Sequence, residues 1–546
     1  MVEARTRHGR ISEVWEFRKL LEIRMLVTDK ICAVVAASDA VSMRKQLVRA
    51  LQKTHTVEFR LDWLSDDREI TRFLGWLKAH QPKASLLATC RRREAGGRYR
   101  GTIARQLVIL AEAVSAGCSW YDLEIETVSQ CPSELLDALL GEARQLTSAH
   151  YFDHMPTDLA KIAADLRRPG SDSIKIAAHC DSLSDSVKLL RFARTQQSIV
   201  AVPMGEEAFP ARVLALREGS ATMYAPVEEA TAPGQVSLDQ MKGVYRADRI
   251  DRKTRVYGVI GNPIGHSLSP VMQNAGFQER RVNAVYLPFL IRDLRDFVDS
   301  IEPLGIAGFS VTIPHKERIL KYLDDCDPLA EAIGAVNTVV VRRGGKLHGY
   351  NTDYVGVVRT LEHRIRLQNS RVLILGAGGA ARAVAFALGR AGAEVCIFSR
   401  RLRPAKELAK AAGGRALLGD SLGHQFFDAI VNATPVGMHP FVDYSPLEAR
   451  ELNCRLVFDT IYRPRQTRLL KLAARRGIET VSGVEMFVAQ GTAQWEIWTG
   501  QRAPVEAMRS AVVAALEKEE KTSRVYRDRK LQLKQSPNGK KMRTSK

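Results

Sequence analysis

No apolar run reaches the roughly 18 residues that a membrane span needs, and the longest candidates are broken by charge or glycine, so no membrane association is expected. Cysteine is sparse and unclustered. The eight thiols (Cys32, Cys90, Cys118, Cys131, Cys180, Cys326, Cys396 and Cys454) include no Cys-x-x-Cys pair, and no histidine cluster accompanies them. That argues against a metal site or a disulfide framework and for reduced thiols in a cytoplasm. Met1 to Arg24 mixes Glu13, Glu16, Arg18, Lys19, Glu22 and Arg24 and lacks the apolar segment and small-residue cleavage site of a secretory signal. It reads as an appended helix or as an overextended start before Met25. No internal repeat is apparent.

With 546 residues, 45% of them hydrophobic and 26% charged, the chain has the composition of a globular protein too long for one core. The net charge of +20 is uneven: residues 521–546 hold ten Lys or Arg against one acid, Asp528. Such a polar segment cannot offset its ordering entropy by burial, so 519–546 is expected to be a disordered, solubilising tail and no specific nucleic-acid partner is implied.

Eight β-rich runs alternate with amphipathic stretches between residues 30 and 227: 30–37, 57–62, 85–90, 120–126, 146–152, 173–179, 198–204 and 221–226. This spacing predicts an α/β fold beginning with a (β/α)8 barrel over 28–240, after an extension at 1–27. A polar connector through Arg255 precedes a second α/β unit over 254–355. Residues 356–518 repeat the strand, Gly-rich turn, helix order of a doubly wound nucleotide-binding sheet, ending in closing helices.

Polar residues occupy strand ends of the barrel half where apolar ones belong. Glu58, Arg60 and Asp62 recur at period two and share a face. Arg91 closes the third strand, Glu124 lies in the fourth, His150 ends the fifth, Lys175 sits in the sixth among Ile174, Ile176 and Ala177, and Arg212 follows the seventh. Barrels put their chemistry at this end. The apolar neighbours of Lys175 disfavour an ammonium and point to a free amine able to attack a ketone.

Glu58-Phe59-Arg60-Leu61-Asp62, Thr89-Cys90-Arg91, Asp122-Leu123-Glu124, Ser148-Ala149-His150, Ile174-Lys175-Ile176-Ala177, Met204-Gly205 and Ala232-Pro233-Gly234-Gln235 resemble the type I 3-dehydroquinate dehydratases. The resemblance implies a Schiff base at Lys175, with His150 as base and acid. Arg212 becomes a carboxylate clamp, and Glu58, Arg60, Arg91, Thr231 and Gln235 become substrate-binding residues. His154 and His179 are rival bases by position. The chain departs from the pattern at Ala95, where an acid is usual before Gly96-Gly97, at Tyr151, and at Thr231, where serine is common.

In the second half, Gly376-Ala377-Gly378-Gly379-Ala380-Ala381 follows the apolar strand 372–375 and opens a helical run, the setting a dinucleotide fingerprint requires. After the next strand, Ser399-Arg400-Arg401 stands where NAD enzymes favour an acid, which points to the 2′-phosphate of NADP. Gly261 to Pro270, Ser310 to Lys316, Gly334 to Thr338, Gly349 to Asp353, Asn432 to Met438 and Gln490-Gly491 resemble shikimate dehydrogenases. By that resemblance Lys316 and Asp353 are the catalytic pair, and Ser267, Ser269, Thr312, Asn337, Tyr462 and Gln490 bind substrate. Gly376, Gly378, Gly379, Ala380, Ser399, Arg400, Arg401, Thr434, Gly437, Met438 and Gly483 bind NADP(H). Tyr354 departs from the glycine usual after Asn-Thr-Asp.

Both halves in this order resemble the bifunctional dehydroquinate dehydratase/shikimate dehydrogenases best known from plants. The resemblance implies a monomer or homodimer acting on small-molecule shikimate-pathway substrates without a metal. Alternatives are a quinate/shikimate dehydrogenase with an inactive dehydratase half, or a ligand-sensing regulator that reuses these domains.

Overall fold

The computed structural model describes residues 29–141, 143–168, 170–228, 236–419 and 422–535. The expected N-terminal extension 1–27, together with Thr231 and Gln235, lies outside these residues. The chain divides into two compact units, 1–255 with 287–305 and 256–286 with 306–546.

In the first unit eight strands form one parallel sheet: β1 (Ile31–Val35), β2 (Thr56–Arg60), β3 (Ser85–Thr89), β4 (Trp120–Glu124), β5 (Arg144–Tyr151), β6 (Ser171–His179), β7 (Ile199–Met204) and β8 (Met223–Pro226). Their order is β7-β6-β5-β4-β3-β2-β1-β8. The Ala221 N–H, just before β8, donates to Ile199 O of β7 at 2.8 Å and brings the two end strands together. Side-chain alternation decides which residues face inwards. Ile174, Ile176 and Ala178 pack with Leu159, Ala163, Leu166, Leu189 and Ala193 of the outer helices Leu159–Leu166 and Leu183–Arg194. Lys175, between two of these, therefore points into the barrel. Ala149 packs outwards in the same cluster, so Ser148 and His150 also point in.

Two six-stranded sheets follow, within the second unit except for residues 255 and 287–290. The first contains β9 (Arg255–Gly261), β10 (Ala284–Leu290), β11 (Ile306–Val311), β12 (Asp325–Cys326), β13 (Thr338–Val341) and β14 (Leu347–Tyr350), in the order β10-β9-β11-β13-β14-β12. Strand β13 runs antiparallel to β11 and β14, which puts the start of β13 beside the ends of the other two.

The second sheet contains β15 (Arg371–Leu375), β16 (Glu394–Phe398), β17 (Arg415–Ala416), β18 (Phe427–Asn432), β19 (Cys454–Asp459) and β20 (Glu479–Val481), in the order β17-β16-β15-β18-β19-β20. Val372 and Ile374 join one core and Leu373 and Leu375 another, so both faces are covered, as a doubly wound parallel sheet requires. Its order reverses between β15 and β18, the place where such sheets take nucleotides.

The C-terminal segment corrects one expectation. The last helix runs Val505–Gln535, so the basic stretch read as disordered from 519 is helical as far as Gln535. Its residues explain this: 505–535 contains no proline or glycine and is rich in Ala, Glu, Lys and Arg, while Pro537 and Gly539 follow.

Candidate active sites

Within the barrel, three side chains meet on one carboxylate. Asp122 on β4 accepts from the Lys175 ammonium, from Arg91 Nη2 at 2.7 Å and from Ser148 Oγ at 2.6 Å. Arg91 Nη1 lies 3.1 Å from both Ser148 Oγ and His150 Nδ1. A chain of contacts thus runs Lys175, Asp122, Arg91, His150. Against the raising effect of burial, Arg91 and Lys175 hold the Asp122 carboxyl well below the usual range. Burial, with the Arg91 and Lys175 charges acting the same way, pushes His150 well below the ordinary histidine value and keeps the imidazole neutral.

The expectation that the apolar neighbours Ile174 and Ile176 set the surroundings of the Lys175 amine is corrected. Its apolar sequence neighbours belong to the outer face, and the amine itself meets Asp122 and the Tyr224 ring, whose centroid is 4.8 Å from Nζ. Asp122 and Ser148 stand in the matching stretches of sequence, with no role implied for either. Asp122 lies two residues before Glu124 in one strand, so the shared face was the available signal.

Other barrel residues fall into place individually. Glu58 is buried and accepts from Thr89 Oγ1 at 2.7 Å. The Arg60 guanidinium holds Asp62 by two contacts of 2.9 Å, and Asp62 also accepts from Arg98 N, so Asp62 has a structural use. Arg212 is buried in the helix Phe209–Ala215, and its Nε donates to Pro203 O at 2.6 Å. Burial lowers its pKa to about 10. The rival bases pair with acids close in sequence, His154 with Asp153 and His179 with Asp181.

In the second unit, Lys316 Nζ donates to Asp353 Oδ2 at 2.5 Å, and Asn337 Nδ2 donates to Asp353 Oδ1 at 2.9 Å. Asp353 opens the helix Thr352–Glu362, capped by Asn351 Oδ1, which accepts from Asp353 N at 3.1 Å. Asn337 Oδ1 accepts from Thr352 N at 2.7 Å, tying the start of β13 to the same helix. Both asparagines thus anchor the acid of the pair. Ser267 and Ser269 follow β9, and Ser269 N donates to Ser267 Oγ at 3.3 Å. A Cβ on Gly261 would meet Thr312 Cγ2 at 2.6 Å, so glycine there lets the end of β9 lie against Thr312. Gln490 is buried in the helix Gly483–Thr499, which approaches Asp353's helix closely at Gly356. Tyr462 stacks on Phe487 with ring centroids 4.6 Å apart.

The glycine turn leaves open space at the start of a helix. Gly376 has φ +112°, and its Cβ would stand 3.1 Å from Ala433 O, whereas added Cβ atoms on Gly378 and Gly379 would meet nothing within 4 Å. The helix Gly379–Arg390 has no side-chain cap, so its first N–H groups face this open space. Ala380 is exposed beside them, and Ser399, Arg400 and Arg401 follow β16 with both arginines exposed. Thr434, Gly437 and Met438 share a loop held by Asn432. That side chain accepts from Thr434 N at 3.0 Å and Thr434 Oγ1 at 2.7 Å, and donates to Val436 O at 3.2 Å and Asp459 Oδ1 at 3.0 Å. Burial pushes the Asp459 carboxyl up to about 6, against the lowering effect of the donors from Thr467, Ile461 and Asn432. Gly483 is buried where a Cβ would meet Thr460 O at 2.3 Å, so close packing requires glycine there. Neither Asn432 nor Asp459 had been singled out as a site residue.

Comparison with known proteins follows this division. The type I 3-dehydroquinase family matches residues 31–252, the shikimate dehydrogenase substrate binding domain matches 259–339, and the shikimate 5'-dehydrogenase C-terminal domain matches 483–513. A chloroplastic bifunctional 3-dehydroquinate dehydratase/shikimate dehydrogenase of Arabidopsis thaliana is 35% identical over 505 residues, 87% of this chain and 83% of the relative. The chain belongs to this bifunctional dehydratase/dehydrogenase family. A shikimate dehydrogenase (NADP(+)) of Bacillus cereus is 44% identical over 274 residues, 48% of this chain and 99% of the relative. A Thermus thermophilus shikimate 5-dehydrogenase solved with NADP(H) and shikimate is 35% identical, covers 48% of this chain and all of its own, and has a TM-score of 0.45. For the bifunctional family the barrel cluster and the Lys316–Asp353 pair are the two candidate active sites. Among the described residues no helix is long and apolar enough to cross a membrane.

Proposed function

We propose that the two pockets act on successive compounds: the barrel dehydrates 3-dehydroquinate to 3-dehydroshikimate, and the second unit reduces that product to shikimate with NADPH. The observation that carries the first step is Lys175, an inward amine linked through Asp122 and Arg91 to a neutral His150. Lys175 gives one ammonium proton to the ketone oxygen, the freed amine attacks the ketone carbon, and with a second proton from that nitrogen the oxygen leaves as water, which yields the iminium. His150 takes the proton alpha to that iminium, then returns it to the departing hydroxyl, which leaves as a second water. Hydrolysis of the imine frees the enone and Lys175. Arg212 binds the carboxylate, and Glu58, Arg60, Arg91, Thr231 and Gln235 orient the ring hydroxyls.

The second reading rests on Lys316 held by Asp353. When bound, NADPH supplies a hydride to the ketone carbon. Lys316 delivers the proton to the ketone oxygen, and Asp353 keeps that ammonium in place. Ser267 and Ser269 hold the carboxylate, Thr312, Asn337 and Gln490 hold ring hydroxyls, and Tyr462 borders the ring. The open Gly376–Ala380 turn fits the pyrophosphate, Ser399, Arg400 and Arg401 fit the 2′-phosphate, and the Thr434–Met438 loop lines the nicotinamide. A cytoplasmic location and a monomeric or homodimeric state belong to the same proposal. Borohydride with dehydroquinate should fix a substrate-derived mass on Lys175; an unmodified Lys175 would reject the Schiff base.

A further inference from the structure

The phenol of Tyr224 has no use in the machinery described so far. It lies on β8, whose partner in the sheet is β1 with Cys32 opposite Tyr224, and packs with Leu87, Leu146 and Val200 inside the barrel. Lys175 Nζ is 4.8 Å from its ring centroid. The hydroxyl is shut off from solvent and has no hydrogen-bond partner among the described residues.

An unsatisfied buried hydroxyl is unfavourable, and phenylalanine would fill the same space without that penalty. Burial, reinforced by the Glu58 and Asp122 charges, pushes the phenol well above its ordinary pKa, so it remains a donor at neutral pH. Asp122, Arg91 and His150 approach Lys175 from β4, the end of β3 and β5. Tyr224 approaches it from β8, on another arc of the barrel. The ring that carries this desolvated, unpaired donor stands 4.8 Å from the nucleophile, and an acceptor arriving with the substrate would satisfy the hydroxyl.

We propose that Tyr224 contacts the substrate of the dehydratase, its hydroxyl donating a hydrogen bond to an oxygen of the polyhydroxylated keto acid held at Lys175. This rests on the reading of Lys175 as the imine-forming amine. Tyr224→Phe in the full chain removes the oxygen alone. The expected result is a fall of about tenfold or more in kcat/KM for dehydration of dehydroquinate, carried mainly by KM. Reduction of dehydroshikimate should be unchanged, and the melting temperature should be unchanged or higher because the orphan hydroxyl is gone. A merely structural tyrosine would raise stability and leave KM where it was.

Borohydride trapping of the unaltered protein in the same series separates the two ideas. Trapped wild type together with wild-type kinetics in Tyr224→Phe would overturn the Tyr224 contact alone. No trapping at Lys175 would overturn the imine reading and this contact with it.

Discussion

Asp122→Asn keeps the size and shape of the residue on which the barrel cluster converges and removes only its charge. Asp122 is 1% exposed, and it faces the Lys175 ammonium and, at 2.7 Å, the Arg91 guanidinium. The substitution leaves both cations buried without a counter-charge. Breaking a buried ion pair from one side destabilises by about 3–5 kcal/mol. For a unit of this size that corresponds to a melting temperature lower by roughly 6–20 °C. Arg91 also loses the anchor that places it against His150, so dehydration should fall by about 100-fold or more in kcat/KM. Calorimetry and separate assays of the two reactions are the readouts, with reduction of dehydroshikimate expected to stay within about twofold. Adding Arg91→Met to Asp122→Asn removes one stranded cation and should recover stability without recovering dehydration. An Asp122→Asn protein that melts and dehydrates like the wild type would refute the idea that this carboxylate organises the site.

Further outcomes follow from the other site. Arg400→Ser combined with Arg401→Ser should raise KM for NADPH by about 10–100-fold, the loss of one or two charge-assisted hydrogen bonds, with little change for NADH; equal effects on both nucleotides would argue against a 2′-phosphate role. Asp459, unlike most acids, has its folded pKa raised, from 3.8 to about 6. The folded state therefore holds this proton more tightly, and stability declines as pH rises from about 4 to 6, by about 3 kcal/mol in all. Asp459→Asn should flatten that part of the pH–stability curve, as measured by urea unfolding at each pH; an unchanged slope would assign it to other groups.

Much of the frame was legible because strand periodicity is a local property. Each of the eight barrel runs overlaps one strand, though β2, β5 and β6 begin one or two residues before their runs, and the glycine turn at Gly376 stands between a strand and a helix. The same periodicity carries the outcome at Lys175. Ile174 and Ile176 face the outer helices, so the apolar neighbours in sequence are not the neighbours in space. The partners that matter there come from elsewhere in the sheet, Asp122 from β4 and Arg91 from the segment just after β3, and register sets their approach to the amine. Asn432 and Asp459 were illegible for a related reason: they are register partners on adjacent strands, and only the pairing of β18 with β19 joins them. In the stretch to Gln535 charge alone points to disorder, but the absence of helix breakers prevails and the chain is helical.

A coupled assay tests the central claim most directly: dehydroquinate and NADPH are mixed with the protein and oxidation of the nicotinamide is followed by absorbance. The wild type should consume NADPH without any added dehydroshikimate. Lys175→Ala should abolish that signal while still reducing dehydroshikimate when it is supplied. Undiminished consumption of NADPH from dehydroquinate by Lys175→Ala would contradict the assignment of this lysine as the nucleophile of the first reaction.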